Sequence, residues 1–332
     1  SAEKAGRIKP GDTLVEGTAG NTGIGLALVA QQKGYKLILV VPDKMSREKI
    51  FNLKAMGAEV VLTRSDVAKG HPDYYQDMAK RIADETPGAY FINQFGNPDN
   101  PAAHEFGTGP EILRQMAEVG GLDAIVFGCG SSGTMTGLSR CFAAHSPKTE
   151  LILADPVGSI LTEYINEGTL SEKSGSWMVE GIGEDFLPKN VDFSVVDHFE
   201  KVTDRDAAIM TGRIAREEGI FAGNSAGSAV AGLLQLADNL KAGETVVVIF
   251  HDHGTRYLGK MYNPAWMREK GFIDRKGLTA RDLVAEVGSG ADGQSRGHIF
   301  PCTIEDQERR LFERRGEEGA GQMAAMMIQV MK

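Results

Sequence analysis

The sequence predicts an α/β protein with two domains, each built on a mostly parallel sheet covered by helices. Short runs of Val, Ile and Leu alternate with stretches of helical period, which is typical of parallel strands joined by helices. The chain has 332 residues, more than a single hydrophobic core usually accommodates. Glycine-rich turns stand at three strand-to-helix junctions. We therefore expect an active site in a cleft between the two domains.

The elements follow one another in a regular order. The helix that begins near Ser46 carries Ile50, Leu53 and Met56 at helical spacing, so these three side chains are expected to face the core. Cys129 sits beside an apolar strand and is expected to fill space rather than act as a nucleophile. Strands are predicted in TLVEG, KLILVVP, AEVVLT, AIVFG, LILAD and TVVVIF, and helices over 23–33, 46–56, 72–85 and 133–145.

Composition excludes several classes of protein. The net charge is −9 and the charges are interspersed, so no basic stripe indicates a nucleic-acid partner. The 3 cysteines have no paired spacing, and the 7 histidines show no ligand pattern beyond the HDH run at His251 and His253, which are expected to be ordinary strand-end residues. Apolar runs fall far short of the roughly 20 residues of a spanning helix. We expect a cytoplasmic protein without a metal site or a membrane segment.

Three strand-to-helix turns consist almost entirely of small residues: 16–23, 128–137 and 222–229. Glycine lets a backbone approach a ligand closely, and the start of a helix offers free N–H groups and the positive end of its dipole. Such turns can therefore bind anions. Taken alone, the second turn could equally be a tight turn capped by a serine. The third matches the GxSxG motif at Ser225, but no oxyanion-hole segment accompanies it, so a hydrolase is not favoured.

Seven stretches between about residues 2 and 272 carry a resemblance to a known family: GNTGIGLALVA, PDKMSREKIFNLKAMGAEVV, NQFGNPDNPAAHE, ADPVGSI, VEGIGEDFLP, GNSAGSAVA and NPAWMREKGF. The chain resembles the pyridoxal-phosphate enzymes of the tryptophan-synthase β type, and within them the cystathionine β-synthase and cysteine synthase family. DPVGSI, VEGIGEDF and WMREKGF are more similar to cystathionine β-synthases, whereas TGPEI and DHGTRYL are more similar to cysteine synthases. The resemblance to cystathionine β-synthase ranks first.

The resemblance implies pyridoxal 5′-phosphate as the cofactor and assigns residues to it. Asn21 would hydrogen-bond the ring hydroxyl, and Ser225 would face the pyridine nitrogen. A neutral serine leaves that nitrogen largely unprotonated, and the weaker electron sink favours β-elimination over transamination. The phosphate would be cradled by Gly130, Ser131, Ser132, Gly133 and Thr134. The carboxylate of the amino-acid substrate would be held by Thr18, Ala19, Thr22 and Gln94.

The chain departs from the family pattern at several positions. Family members hold the cofactor as a Schiff base on a lysine in a segment like S-x-K-D-R, upstream of the stretch that matches AEKAGRIKPGD. Lys4 and Lys9 do not stand in such a setting, so no catalytic residue is assigned and the chain by itself is expected to be inactive. Gly17, Ala19 and Ser132 stand where the family commonly has proline, serine and glycine.

The predicted plan has four parts and one leading function. Residues 1–10 are expected to be the remnant of an N-terminal segment, 11–110 a smaller α/β domain with the substrate-binding turn, 111–272 a larger α/β domain with the phosphate loop, and 273–332 a linker with a truncated or poorly ordered tail. The expected reaction is β-replacement of L-serine by L-homocysteine, giving L-cystathionine and water, in a homodimer without haem. Two alternatives stay open: a cysteine synthase using O-acetylserine and sulfide, and a non-catalytic fragment or pseudoenzyme that only binds the cofactor.

Overall fold

The computed structural model describes residues 1–18, 20–169, 175–194 and 196–273, together with the two-residue strand at 328–329. The chain forms two parallel sheets, one of four strands and one of five, and helices flank both. The predicted α/β class is therefore confirmed. Within the described ranges, every helix is too short or too polar to cross a membrane.

The first sheet has the strand order β3-β2-β1-β4, with every pair parallel. The chain runs from β1 through β2 to β3 in one direction and then returns to place β4 on the other side of β1. The end of β1 is therefore a topological switch point, the usual place for a ligand in an open α/β sheet. The elements are β1 (Thr13–Gly17), α1 (Asn21–Lys33), β2 (Lys36–Pro42), α2 (Arg47–Ala55), β3 (Glu59–Thr63), α3 (Tyr75–Glu85) and β4 (Ala89–Phe91).

Alternate residues of the first sheet pack into two apolar layers, as expected for strands buried on both faces. Leu14 packs on one face with Leu53 of α2, and Val15 packs on the other face against α3. Ile50 and Met56 lie beside Leu53 in the first layer, so the predicted core stripe of α2 is confirmed.

The second sheet repeats this arrangement with the order β7-β6-β5-β8-β9, again all parallel. Its switch point lies between the ends of β5 and β8, because the chain leaves β5 on one side and returns with β8 on the other. The strands are β5 (Ala124–Phe127), β6 (Glu150–Pro156), β7 (His198–Val202), β8 (Val246–Phe250) and β9 (Ile328–Gln329). The helices are α4 (Asp99–Ala103), a π-helical turn (His104–Thr108), α5 (Gly109–Ala117), α6 (Gly133–His145), α7 (Leu161–Glu167), α8 (Asp204–Glu217), α9 (Asn224–Gln235), a 3₁₀ turn (Gly254–Tyr257) and α10 (Pro264–Glu269).

Most predicted elements are present, and the exceptions have local causes. Helix α6 begins and ends as predicted, whereas α1 begins two residues before the predicted start, at Asn21. Strand β7 is not predicted by the sequence, because HFEKV contains no apolar run. Cys129 is buried in the core between α6 and β5, as predicted. The expected tail at 273–332 lies almost wholly outside the described residues, and the domain bounds remain a prediction.

Candidate active site

A cavity of about 490 Å³ is lined by residues that follow β1 and β5, the strands at the two switch points. Thr18, Asn21 and Thr22 follow β1 and line it from one side. Gly130 and Ser131 follow β5 and line it from another. The volume falls within the range of about 300–1,000 Å³ that is usual for small-molecule sites. The first two glycine-rich turns therefore share a cavity.

The turn after β1 needs glycine at two positions because other elements press against it. A Cβ at Gly17 would lie 2.8 Å from the backbone oxygen of Tyr75 at the start of α3. Gly20 has φ 130°, which side-chain-bearing residues rarely adopt, and a Cβ there would lie 2.7 Å from Cδ of Lys49. The departure from proline at Gly17 is thus compatible with the close approach of α3. Ala19 lies outside the described residues.

Side-chain hydrogen bonds fix the residues of this turn that the sequence assigns to a substrate carboxylate. The Thr22 hydroxyl donates to Gln94 Oε1 at 2.6 Å, and Gln94 Nε2 donates to the Gly17 carbonyl at 3.0 Å. The backbone N–H of Gln94 donates to Glu16 Oε2 at 3.2 Å. Burial raises the pKa of the Glu16 carboxyl to about 8, although the hydrogen bonds from Gln94 oppose this shift. Gln94 is thus tied to β1 through both its side chain and its backbone.

The turn after β5 is held by close contacts to the backbone of its glycines. A Cβ at Gly130 would lie 2.5 Å from the Gly181 carbonyl oxygen, and a Cβ at Gly133 would lie 1.9 Å from Oδ1 of Asn100. Ser132 adopts φ 67°, a left-handed conformation that favours glycine. The departure from glycine at Ser132 therefore falls at a position where the backbone itself suits glycine.

The predicted phosphate residues divide into two groups. Gly130 and Ser131 line the cavity, whereas Ser132, Gly133 and Thr134 lie behind them at the start of α6. Ser132 Oγ is 3.3 Å from Cys129 Sγ and is almost fully buried. The first N–H groups of α6 have no acceptor within the helix, as at any helix start. They are the donors that could reach an anion in the turn.

The third turn, around Ser225, does not line the cavity in the described part of the chain. A Cβ at Gly227 would lie 2.2 Å from the Ala207 carbonyl oxygen, so the small residues of α9 allow close packing against α8. Ser225 is buried in the first turn of α9. Two residues before it, the N–H of Gly223 donates to the Asp252 carbonyl at 2.9 Å.

Charged side chains of both signs line the cavity, and the sequence assigns a role to none of them: Lys44, Arg64, Glu180, Glu184, Asp185, Lys260 and Lys270. Glu180 is 3.0 Å from Lys49 Nζ and also accepts a short hydrogen bond from Lys260. Burial opposes ionisation of Glu180, but the two lysines hold the pKa of its carboxyl below the usual value. Burial raises the pKa of Glu184 well above its usual value, and Asp185 adds to the shift. The VEGIGEDF stretch contains these acids but gives no local signal of their role.

A buried polar chain, which we term the seam network, joins α2 to the end of β8. Lys49 Nζ donates to the Tyr257 hydroxyl at 2.9 Å, and that hydroxyl donates to Asp252 Oδ2 at 2.7 Å. Asn21 Nδ2 donates to the same Asp252 oxygen at 2.8 Å. The side chains of Lys49 and Asp252 are fully buried. The seam network therefore connects the turn after β1 with the end of β8.

The residues present fit the cofactor that the resemblance implies. Gly130 and Gly133 allow Gly181 and Asn100 to pack closely on the turn, and the turn lies at a helix start that offers N–H groups to a phosphate. Asn21 places an amide at the same cavity. Lys4 and Lys9 are exposed and do not line the cavity. In the described ranges, His, Cys, Asp and Glu side chains form no cluster that could hold a metal ion, and His253 instead accepts a hydrogen bond from Thr255 at 3.3 Å.

Known proteins of similar sequence and structure identify the family of the chain. The protein family described as "Pyridoxal-phosphate dependent enzyme" matches residues 1–252. A cystathionine beta-synthase from Dictyostelium discoideum is 42% identical over 303 residues, covering 91% of this chain and 60% of that protein. Cysteine synthase 1 from Emericella nidulans is 40% identical over 274 residues, covering 81% of this chain and 73% of that protein.

Among solved structures, an O-acetylserine dependent cystathionine beta-synthase from Helicobacter pylori superposes with a TM-score of 0.69 at 37% identity, covering 78% of this chain and 80% of that one. The chain spans about half to three fifths of the length of the curated cystathionine beta-synthases that it matches. The family match covers β1 to β8 and all residues that line the cavity except Lys260, Trp266 and Lys270. The chain belongs to the pyridoxal-phosphate dependent enzyme family and is similar to cystathionine beta-synthases.

Proposed function

We propose that the chain provides the cofactor and substrate sites of a β-replacement enzyme that joins L-serine and L-homocysteine to give L-cystathionine and water. One observation carries the choice of second substrate. The cavity presents the carboxylate of Glu180 and the ammonium groups of Lys44 and Lys260 to the same space. It also presents the carboxyl of Glu184, whose pKa burial raises and which an incoming ammonium group would favour in its ionised form. An amino-acid nucleophile needs an acceptor for its ammonium and a donor for its carboxylate, whereas sulfide needs neither. The mixed charge and the volume therefore support a zwitterionic thiol.

The bound cofactor supplies the electron sink that allows the α-proton and the β-substituent of serine to leave. We assign Gly130 through Thr134 to its phosphate, because the free N–H groups at the start of α6 favour an anion there. Asn21 is assigned to the ring oxygen, because it lines the cavity. Ser225 keeps its assignment to the ring nitrogen, with support from its position at the start of α9, two residues after Gly223.

The serine carboxylate is assigned to Thr18, Thr22 and Gln94, together with Ala19. Thr22 gives its hydroxyl hydrogen to Gln94, so its contribution to an anion is its backbone N–H at the start of α1. Gln94 uses one Nε2 hydrogen for Gly17 and keeps the other. Thr18 accepts from the N–H of Gly20 at 3.1 Å and keeps its own hydroxyl hydrogen for a ligand.

A cysteine synthase that uses O-acetylserine and sulfide is the second candidate. The 40% identity to cysteine synthase 1 favours it. The structural similarity to an O-acetylserine dependent cystathionine beta-synthase supports O-acetylserine as the first substrate, but not sulfide as the nucleophile. The two candidates share the first half of the reaction and differ in leaving group and nucleophile. The acidic side chains of the cavity are their point of difference, because sulfide gains nothing from a carboxylate.

Steady-state turnover of the full-length gene product, loaded with pyridoxal 5′-phosphate, tests the proposal. Serine with homocysteine should be turned over faster than O-acetylserine with sulfide, and 4-mercaptobutanoate, which lacks the ammonium group, should be a poor nucleophile. Glu184→Gln should raise KM for homocysteine and leave that for sulfide unchanged. Glu111→Gln, on an exposed position of α5, is the matched control. Equal use of sulfide and homocysteine would favour the cysteine synthase, and absence of turnover would favour a binding-only protein.

We further propose that the protein acts as a homodimer. Phe106, in the π-helical turn, exposes 77% of its surface, and Val119 exposes 52%. Large exposed apolar side chains are common at association surfaces. Light scattering after gel filtration should give twice the monomer mass, and Phe106→Glu should shift the population towards the monomer. A monomer in the wild type would contradict this proposal.

A further inference from the structure

Asp252 holds the side chain of Asn21, although no assigned role includes Asp252. Asn21 Nδ2 donates to Asp252 Oδ2 at 2.8 Å across 231 positions of sequence. Asn21 stands at the first residue of α1, and Asp252 stands two residues after the end of β8. The bond therefore joins the switch points of the two sheets.

The charge of Asp252 determines which way the Asn21 amide points. An ionised carboxylate only accepts hydrogen bonds, so the amide must turn its nitrogen towards Asp252. Asn21 Oδ1 is buried in this orientation and has no hydrogen-bond partner among the described residues. An unpaired buried acceptor is unfavourable, but a charge-assisted hydrogen bond is about twice as strong as a neutral one and outweighs it. The orientation is thus imposed by Asp252 and not by the needs of the amide itself.

Asp252 is itself immobilised by its neighbours. Tyr257 donates its hydroxyl to Asp252 Oδ2 at 2.7 Å, Lys49 Nζ is 3.9 Å from that oxygen, and Arg256 is 3.7 Å from it. On the other side, a Cβ at Gly223 would lie 1.7 Å from Asp252 Oδ1, so only glycine fits there. The carboxylate cannot rotate away from Asn21 without breaking these contacts.

The nitrogen of the Asn21 amide also borders the wall of the cavity. A Cβ added at Gly181 would lie 3.7 Å from Asn21 Nδ2. Apart from the chain neighbours of Gly181, no other atom of the described residues would lie within 4 Å of that Cβ. Gly181 lines the cavity, and its carbonyl packs against Gly130 of the phosphate turn. Nδ2 carries two hydrogens, and Asp252 takes one of them. The second hydrogen is left for a ligand.

We infer that Asp252 is a positioning residue that fixes Asn21 as a hydrogen-bond donor towards an oxygen of the bound ligand. On the proposed function, on which this inference rests, that oxygen is the ring oxygen of the cofactor. A donor stabilises the ionised oxygen more than the protonated one, so the site should lower the pKa of the ring hydroxyl of a bound pyridoxine. Asp252→Asn allows the amide pair to reverse, because the introduced side-chain amide could donate to Asn21 Oδ1.

The experiment uses the full chain and pyridoxine 5′-phosphate, which lacks the aldehyde and therefore does not react with lysines such as Lys44. Ionisation of the ring hydroxyl changes the ultraviolet absorption of the ligand, so its pKa can be titrated in the bound state. In the wild type this pKa should lie below that of the free ligand. In Asp252→Asn this pKa should rise, with an acid dissociation constant about tenfold lower than in the wild type, as expected for the loss of one hydrogen bond to a charged group.

The sign of the change separates positioning from a simple charge effect. Removing the negative charge of Asp252 would, on its own, make ionisation of a nearby oxygen easier and lower the pKa of the ligand. Loss of the donor raises it. A pKa that is lowered or unchanged in Asp252→Asn, with or without weaker binding, would therefore overturn the inference.

Two further variants keep the test decisive. Tyr257→Phe removes a neighbour of Asp252 but leaves the bond to Asn21, so the titration should stay that of the wild type while stability falls. If Asp252→Asn does not fold, the double variant Lys49→Met/Asp252→Asn removes one charge of each sign from the seam network and carries the same expected shift. Failure of pyridoxine 5′-phosphate to bind the wild type overturns the proposed function and this inference together, whereas binding with an unshifted titration in the Asp252 variants overturns the inference alone.

Discussion

The turns after β1 and β5 occupy equivalent places in their sheets, yet different forces hold them. Around the turn after β1, distant side chains make the contacts: Lys49 against Gly20, Asp252 on Asn21, and Gln94 on Thr22. The turn after β5 is fixed by contacts to glycine backbone, such as those of Gly181 with Gly130. The first arrangement responds to charge and protonation, whereas the second responds to volume. On the proposed assignments, the turn for the substrate would be tuned by side chains, while the turn for the phosphate would be set by shape.

The largest expected effect comes from removing the buried ammonium group behind the first turn. Lys49→Met leaves Glu180 and Asp252 buried with fewer positive partners, and breaking a buried ion pair costs about 3–5 kcal/mol. The free energy of unfolding, measured with urea, should fall by about that amount. Lys80→Met is the matched control, because the pair of Lys80 with Asp84 is exposed and such pairs contribute about 0–1 kcal/mol. Equal losses in the two variants would contradict the role given to burial.

In the turn after β5, the comparable test is a substitution that adds volume at a glycine. Gly133→Ala places a methyl group against Asn100, whose amide is held by Gln94 and Ser131, so it cannot easily move. Overpacking of this kind costs about 1–3 kcal/mol, and phosphate affinity should fall with it. Gly25→Ala, in the open part of α1 with no atom within 4 Å, should instead stabilise the chain by about 0.5–1 kcal/mol. Thermal unfolding of both variants measures the two changes in stability. A stability gain in Gly133→Ala would contradict the packing argument.

The first turn should also depend on pH through Glu16, whose burial raises the pKa of its carboxyl to about 8. Between about pH 5 and pH 8 the folded chain keeps this proton while the unfolded chain has lost it. Stability should therefore fall as pH rises through this window, by at most about 1.4 kcal/mol per pH unit. In Glu16→Gln this loss should disappear. Urea unfolding at three pH values checks the slope, and parallel slopes in wild type and variant would refute the assignment.

The smallest effect concerns backbone strain in the second turn. Ser132 has φ 67° and should lose strain on substitution, so Ser132→Gly should stabilise the chain by about 0.5–1 kcal/mol after the added freedom of the unfolded glycine is counted. Asn93 also has a positive φ, 56°. Asn93→Gly should stabilise the chain less than Ser132→Gly, because asparagine tolerates this conformation. The melting temperatures of the two variants show which substitution stabilises the chain more. Destabilisation by Ser132→Gly would contradict the prediction and show that the contact of the Ser132 hydroxyl with Cys129 outweighs the strain.

The difference between contacts from distant side chains and local glycine packing also explains which features the sequence could predict. Strands β1, β2, β3, β5, β6 and β8, helix α6 and the core stripe of α2 follow from periodicity, and the glycine turns follow from local composition. Lys49, Asp252 and Glu184 were not predicted, because their partners lie far away in sequence and no local pattern records such pairs. The run HDH is interpreted from sequence as ordinary, although its central Asp252 contacts Asn21. Ser225, in contrast, is assigned with the first two turns, whereas the structure gives it no surface on the cavity.

A structure of the chain with pyridoxine 5′-phosphate tests the central claim most directly, namely that the two turns bind opposite ends of one ligand. The phosphate should lie at the backbone N–H groups of residues 130–134, with the ring oxygen at Asn21 Nδ2. A phosphate bound at the start of α1, or a ring that makes no contact with Asn21, would contradict the account.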